Sequence, residues 1–192
     1  MTSPHPLPGS ARLALRRFTV ADRALLYRLH RDPRVMRFAG GVLDRAASEA
    51  MLHERILDYY AQHPGLGVWA TLERASGACV GLHLLNHIRG EAHIQVGYLL
   101  FPEYWGRGYA TEMASAVLRY GFAALGLAQI VAITDRANAD SQHVLLKIGL
   151  QHRGERSLTH PAYAKQGPLA WFERDAADWL AERDPHTAAA RP

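Results

Sequence analysis

The sequence predicts a mixed α/β fold of one domain, with helices flanking a twisted sheet of six to seven strands. A length of 192 residues, 48% of them hydrophobic, suits one core and an ordinary globular class. Three strand-like runs separated by turn signals predict an antiparallel meander. A long amphipathic segment between two further apolar runs then predicts a central parallel βαβ crossover.

The first elements are a strand over 11–18 and a helix that begins at Thr19. Thr19 can cap this helix, and Asp22 stands three residues later, which makes a shortened capping box. Pro33 ends the helix. A second helix is expected over 44–63 from its apolar periodicity. The side chains expected to face the core are Ala47, Met51, Ile56 or Leu57, and Tyr60.

The meander and the crossover take up the rest of the chain. The meander strands are 68–73, 78–86 and 92–101, with turns at "RASG" and "IRGE" between them. A long helix follows over 109–125 and is closed by Gly126. The remaining elements are a strand at 128–134, a helix at 138–149, strands at 150–158 and 168–174, and a helical turn or two at 175–183.

The domain should span residues 11–181, with disordered tails at 1–10 and 182–192. No apolar run reaches the roughly 20 residues that a membrane span needs, and the start lacks a secretory signal. The one cysteine, Cys79, fits a reducing compartment, and its apolar surroundings predict a buried, inert thiol. A cytoplasmic protein without a membrane partner is therefore expected.

The net charge of +4 is modest, and the basic residues are spread along the chain. Runs of about five or six basic residues, which mark interaction tails, do not occur, so the composition does not favour a nucleic-acid partner. A mildly cationic surface would instead help to attract a polyanionic small molecule.

The segment "WGRGYA" lies between a predicted strand and a predicted helix and contains Gly106 and Gly108. Backbone amides in the first turn of a helix lack partners, so a loop without side chains there can hold a phosphate. A tight strand-to-helix turn that needs glycine for its dihedrals is the structural alternative. The dinucleotide fingerprint G-x-G-x-x-G is not met, because Thr111 takes its last position.

Two motifs together, "IQVGYLLFPEYWGRGYATEM" and "NADSQHVLLKIGL", resemble the GNAT superfamily of acetyl-CoA-dependent N-acetyltransferases. The likeness covers roughly residues 11–180 and is nearest to the subgroup that acetylates the N-terminal alanine of ribosomal proteins. It implies a GNAT-like fold and a transferase that uses acetyl-CoA as cosubstrate. The acceptor would be a primary amine, either a small molecule or a protein N-terminus, attacking directly in a ternary complex.

The resemblance also implies which residues bind the cofactor. The CoA pyrophosphate would lie on the loop formed by Trp105, Gly106, Arg107, Gly108, Tyr109, Ala110 and Thr111, where Trp105 replaces the usual Gln or Arg. The strand before the loop would splay, and its backbone at Tyr98, Leu99 and Leu100 would pair with the pantetheine arm. The family element "N-x-x-S" falls on Asn138, which would bind pantetheine, and Ser141, which would protonate the leaving thiolate. Asn138 is also a good helix cap.

The subgroup often places a glutamate base two residues before the "GY" of the splayed strand, and this chain has Gln95 there. An amide cannot remove a proton. Glu91 and His93 lie just upstream, and His93 shares the facing of Gln95 because side chains alternate along a strand. An imidazole titrates near 6.5, about the pH that a base needs, so His93 is the candidate catalytic base. The alternatives are that His93 is only a surface histidine at a hairpin, and that ordered water or bulk solvent takes the proton.

Several other residues need a structural test. The histidines His83, His87 and His93 stand on consecutive strands without a carboxylate or cysteine at ligand spacing, so no metal is expected. Tyr59 and Trp69 suit either the acceptor cleft or the core. The segments 34–41 and 157–167 should frame the acceptor side.

Two other functions stay open. Gln95 suggests an acyl-CoA-binding or regulatory domain of the same fold with weak catalysis or none, and the glycine loop alone allows a nucleotide-dependent oxidoreductase. No acyl-enzyme is expected, because Cys79 lies outside the motifs and Ser141 lacks a triad. A homodimer stays open as well.

Overall fold

The computed structural model describes residues 5–183, which form one mixed sheet flanked by helices. The strands are β1 (Leu13–Arg17), β2 (Gly67–Glu73), β3 (Cys79–His87), β4 (Ile94–Leu100), β5 (Gln129–Thr134), β6 (Gln151–Arg156) and β7 (Leu169–Asp175). Their order across the sheet is β1-β2-β3-β4-β5-β7-β6. Neighbours pair antiparallel except β4 and β5, which are parallel. The predicted fold class is confirmed.

The helices are α1 (Arg23–His30), α2 (Pro33–Met36), α3 (Arg45–Leu52), α4 (Asp58–Gln62), α5 (Tyr109–Ala123), α6 (Ala139–Lys147) and α7 (Ala176–Arg183). A 3-10 turn at Val20–Asp22 leads into α1, and Thr19 and Asp22 form the predicted capping box. The Asp22 carboxylate also accepts from Arg16 of β1 at 2.7 Å, which ties the helix start to the edge strand. None of the helices within residues 5–183 is long and apolar enough to cross a membrane.

The second predicted helix contains a π turn at His53–Leu57, between α3 and α4. Its buried residues are Ser48, Leu52, Ile56, Tyr59 and Tyr60. The prediction that Ala47 and Met51 face the core is wrong by one position, since Ala47 is exposed and Met51 only half-buried. Ser48 is buried instead, and its Oγ lies 3.0 Å from His30 Nδ1 of α1.

The segment before β1 is joined to the fold. Gly9 forms an isolated bridge with Ala14, and Ser10 Oγ donates to a Glu112 carboxylate oxygen at 2.7 Å. The expected tail over 1–10 therefore does not hold at Gly9 and Ser10, because these contacts fix them against β1 and α5. Of the predicted tails, residues 1–4 and 184–192 lie outside the described residues. Helix α7 runs to Arg183, past the domain end predicted at 181.

Tyr59 and Trp69 belong to the hydrophobic core, with 4% and 1% of their surface exposed. Trp69 packs edge-on against Tyr120 of α5, with ring centroids 6.3 Å apart. Tyr60 donates its hydroxyl to the Val68 carbonyl, and so joins α4 to β2. Of the two readings of Tyr59 and Trp69, the core reading is the one that the structure confirms.

Candidate active site

The two central strands separate as soon as they meet. β4 and β5 share a single register pair, Gln95 with Val131. Beyond that pair the strands enclose a cavity of about 280 Å³, called the gap below. Its walls include Tyr98 of β4, Thr134 of β5 and Ser141 of α6. The splay predicted for β4 is therefore present.

Polar groups converge on one wall of this gap. The Tyr98 hydroxyl lies 3.2 Å from Ser141 Oγ and donates to the Ser141 carbonyl at 3.3 Å. Burial raises the pKa of Tyr98 to about 12, so its phenol is protonated at neutral pH. The Asn138 side chain accepts from the Ser141 amide at 3.2 Å, which confirms its predicted role as the cap of α6. The gap thus holds two hydroxyl donors beside a capped helix start.

The glycine loop precedes α5 and is exposed to solvent. Gly106 and Gly108 have φ angles of 73° and 76°, in the left-handed region that favours glycine. A Cβ at Gly106 would meet nothing within 4 Å, so dihedrals and not space require this glycine. The backbone amides at 109–111 have no acceptor inside the helix, since its first bond runs from Glu112 to Gly108. The glycines therefore satisfy the tight turn, and the same loop leaves backbone amides available to bind an anion.

Arg12, which no sequence pattern singled out, braces this loop. Its Nη2 donates to the Arg107 carbonyl at 3.0 Å and its Nε to the Glu112 carboxylate at 2.6 Å. Although burial opposes the shift, hydrogen bonds from Ser10 and Arg12 lower the pKa of Glu112. The guanidinium therefore neutralises a carboxylate that stands in the first turn of α5, beside the free amides.

Trp105 forms a hydrogen bond with Leu100, one of the residues predicted to bind the cofactor. Its indole Nε1 donates to the Leu100 carbonyl at 2.9 Å, while 49% of its surface stays exposed. That bond uses a backbone acceptor predicted for the pantetheine arm. Tyr98 and Leu99 still line the gap. Ala110 is half-buried in the first turn of α5.

Gln95 lies where the first cavity meets a second one of about 150 Å³. His93 lines neither cavity. Its ring packs edge-on against Trp171, with centroids 5.1 Å apart, and its Nδ1 lies 3.5 Å from Glu91. The structure does not bring the candidate base to the gap, because His93 precedes Ile94, the first residue of β4, and strand alternation does not set its direction.

His83, His87 and Cys79, the other residues tested for a chemical role, have partners within the fold. His83 Nδ1 lies 2.8 Å from Thr71 Oγ1, and burial lowers the pKa of His83 to about 3. His87 Nδ1 lies 2.6 Å from the Tyr59 hydroxyl. Within residues 5–183 no group of three or more His, Cys, Asp or Glu could hold a metal ion. Burial raises the pKa of the Cys79 thiol, which suits an inert role.

The segments 34–41 and 157–167, predicted to frame the acceptor side, both line the first cavity. Their lining residues are Val35, Phe38, Ala39, Tyr163 and Gln166. The second cavity has Arg55 and Arg89 on its wall and no carboxylate. Sequence periodicity missed these two arginines, because it indicates only which apolar side chains turn inward.

The parted sheet, the exposed glycine loop and the Tyr98–Ser141 pair suit the site of an acyltransferase. Residues 12–151 match the family described as "Acetyltransferase (GNAT) domain", and the chain belongs to this family. It is 31% identical to the uncharacterised N-acetyltransferase YoaA of Bacillus subtilis over 155 residues, which are 78% of this chain and 85% of that protein.

Two solved structures from Vibrio cholerae share the fold. A proposed ribosomal-protein-serine acetyltransferase superposes with a TM-score of 0.71 at 18% identity, covering 91% of this chain and 99% of that one. A spermidine N-acetyltransferase in complex with CoA and spermine superposes with a TM-score of 0.69 at 15% identity, covering 88% and 99%. Identities this low support the fold, and they do not carry an acceptor over to this chain.

Proposed function

We propose that the protein moves acetyl from acetyl-CoA to a primary amine by direct attack in a ternary complex. The observation that carries this proposal is the gap between β4 and β5, where two protonated hydroxyls meet at Tyr98 and Ser141. Transfer from a thioester needs hydrogen-bond donors for the oxyanion and a proton for the departing sulfur. The two hydroxyls are donors that can supply that proton.

The chain's own backbone would hold the cofactor. The amides of the loop 106–111 and the dipole of α5 suit a pyrophosphate, and Arg12 removes the repulsion that Glu112 would otherwise exert. The pantetheine arm would pair with the free edge of β4 at Tyr98 and Leu99, as an added strand does. The Asn138 side chain would bind it from the opposite wall.

In the reaction, the amine nitrogen attacks the thioester carbonyl carbon, so that a C–N bond forms and the C–S bond breaks. Ser141 Oγ donates its proton to the sulfur, and the Tyr98 hydroxyl can resupply it. The one carboxylate that lines the gap within the described chain belongs to Asp135, which accepts from the Ala137 amide at 2.8 Å. The amine arrives neutral, and after the attack its nitrogen releases one proton to water, while solvent returns a proton to the Tyr98–Ser141 pair.

The proposal is tested by CoA release with a panel of primary amines. The panel contains peptides with the N-termini of ribosomal proteins, which the motifs favour, together with spermidine and amino acids. Thermal-shift titrations with acetyl-CoA and with NADPH run in parallel. We expect stabilisation by acetyl-CoA alone and CoA release with at least one amine.

Two outcomes would contradict this expectation. Binding of acetyl-CoA without release across the panel would favour the acyl-CoA-binding domain that Gln95 suggests. Stabilisation by NADPH but not by acetyl-CoA would favour an oxidoreductase.

A further inference from the structure

We infer that the acceptor bears a carboxylate as well as its amine, and that Arg55 and Arg89 bind this carboxylate. The inference rests on the proposed function and concerns the second cavity. Arg55 belongs to the π turn between α3 and α4, and Arg89 follows the end of β3. Both are half-buried on the wall of one cavity.

The second cavity adjoins the gap and shares part of its wall. The residues that line both are Leu84, Gln95, Leu99 and Tyr163. An acceptor with its amine in the gap near Gln95 can therefore extend its other end into the second cavity. The volume of about 150 Å³ fits a short hydrocarbon segment with one small polar group.

The two guanidinium groups have no acidic partner among residues 5–183. Arg55 Nη2 donates to the His87 carbonyl at 3.2 Å, and Arg89 Nη2 contacts the Met51 sulfur. Within residues 5–183 neither arginine has a carboxylate oxygen within 4.0 Å. Each guanidinium carries several N–H donors, so both can donate further hydrogen bonds to a ligand.

The positive charges of Arg55 and Arg89 lie near each other on the wall of the second cavity. Burial, and then the neighbouring charge of Arg89, lower the pKa of Arg55. The third basic side chain on the wall, His30, is neutral at pH 7, because burial lowers its pKa to about 4. Two half-buried cations without an anion are costly, and a ligand anion would offset that cost.

A carboxylate matches this pair best. Arginine presents a planar fork that binds a carboxylate through two parallel hydrogen bonds. The other walls of the cavity are largely apolar and suit a carbon chain between the two ends of the acceptor, with Ile56, Val68 and Leu82 among the lining residues. A polyamine would place a second cation against Arg55 and Arg89, so we expect it to be a poor acceptor.

Two matched acceptor series test the inference. One compares 4-aminobutanoate, 4-aminobutanamide and 1,4-diaminobutane, and the other compares 5-aminopentanoate, 5-aminopentanamide and 1,5-diaminopentane. CoA release gives kcat and KM for each amine. We expect the best carboxylate to exceed its amide in kcat/KM by about tenfold or more, which corresponds to about 1.4 kcal/mol.

Variants then assign the effect to the arginines. Arg55→Gln and Arg89→Gln should each raise KM for the carboxylate and remove most of the preference, with acetyl-CoA binding unchanged. Arg119→Gln, on the exposed face of α5, is the matched control and should keep the preference. Thermal unfolding of each variant shows that it is folded, and Arg55→Lys, which keeps the charge, should retain part of the preference.

The outcomes separate the inference from the proposed function. If kcat/KM for the amides or the diamines equals or exceeds that for the carboxylates, the inference that the acceptor bears a carboxylate is refuted. The proposed acetyl transfer would still stand. A preference that survives in folded Arg55→Gln and Arg89→Gln variants would overturn the assignment to these residues. Binding of acetyl-CoA without CoA release from any amine would overturn both.

Discussion

The hydroxyls of Tyr98 and Ser141 lie 3.2 Å apart, across the point where β4 and β5 have separated. Tyr98 comes from the sheet and Ser141 from the first turn of α6, so the pair joins elements that share no strand pairing. Because burial keeps the Tyr98 phenol protonated, the pair is a donor chain that opens on the cavity.

Ser141→Ala should lower kcat about 100-fold, because the sulfur loses its proton donor. The Kd of acetyl-CoA, measured by calorimetry, should change by no more than about twofold, since Asn138 and the loop are untouched. Tyr98→Phe should lower kcat less, because Ser141 remains. Ser76→Ala, in the turn between β2 and β3, is the control. Unchanged turnover in Ser141→Ala would remove Ser141 from the mechanism.

Gly108→Glu should abolish acetyl-CoA binding, because the new side chain brings a negative charge to the loop that would hold the pyrophosphate. The matched control is Gly77→Glu, since Gly77 has a similar φ of 70° and open space around a Cβ. Both variants should lose about 1 kcal/mol of stability from left-handed strain. Thermal-shift titration with acetyl-CoA should then separate them. A normal response from Gly108→Glu would refute the loop assignment.

The pH dependence of turnover should report the acceptor amine. Among residues 5–183 no histidine lines the gap, so log kcat/KM should rise with unit slope up to the pKa of the amine. His93→Ala should leave this profile unchanged, because His93 packs against Trp171 outside both cavities. A plateau near pH 6.5, about the pKa of a free imidazole, that disappears in His93→Ala would restore His93 as the base.

Stability should fall on mild acidification. Burial lowers the folded-state pKa of His30 to about 4 and that of His83 to about 3, so the unfolded chain takes up protons first. The stability is therefore complete above about pH 6.5 and decreases below it, by about 2 kcal/mol for each histidine between pH 7 and pH 5.

His30→Asn tests this directly by urea denaturation. The variant should be less stable at pH 7 by about 1 kcal/mol, since its packing and its bond to Ser48 change. Between pH 7 and pH 5 it should lose about 2 kcal/mol less than the parent protein does. An identical decrease in both proteins would show that His30 titrates normally.

Local patterns in the sequence were sufficient for most elements. The helix predicted over 109–125 is observed at Tyr109–Ala123, and the strand predicted over 128–134 at Gln129–Thr134. The capping box at Thr19 and the cap at Asn138 were also predicted. Periodicity, capping and glycine dihedrals involve residues within a few positions of one another, so a single sequence contains this information.

Amino-acid order alone therefore accounts for most of the elements, the glycine loop and the family motifs of this protein. Contacts between distant segments decided the rest: the insertion of β7 between β5 and β6, and the single pair that opens the gap. Such contacts also bury Ser48 against His30 and place Arg55 and Arg89 on the wall of one cavity. No local pattern encodes them, because each depends on side chains that come together only when the core has formed.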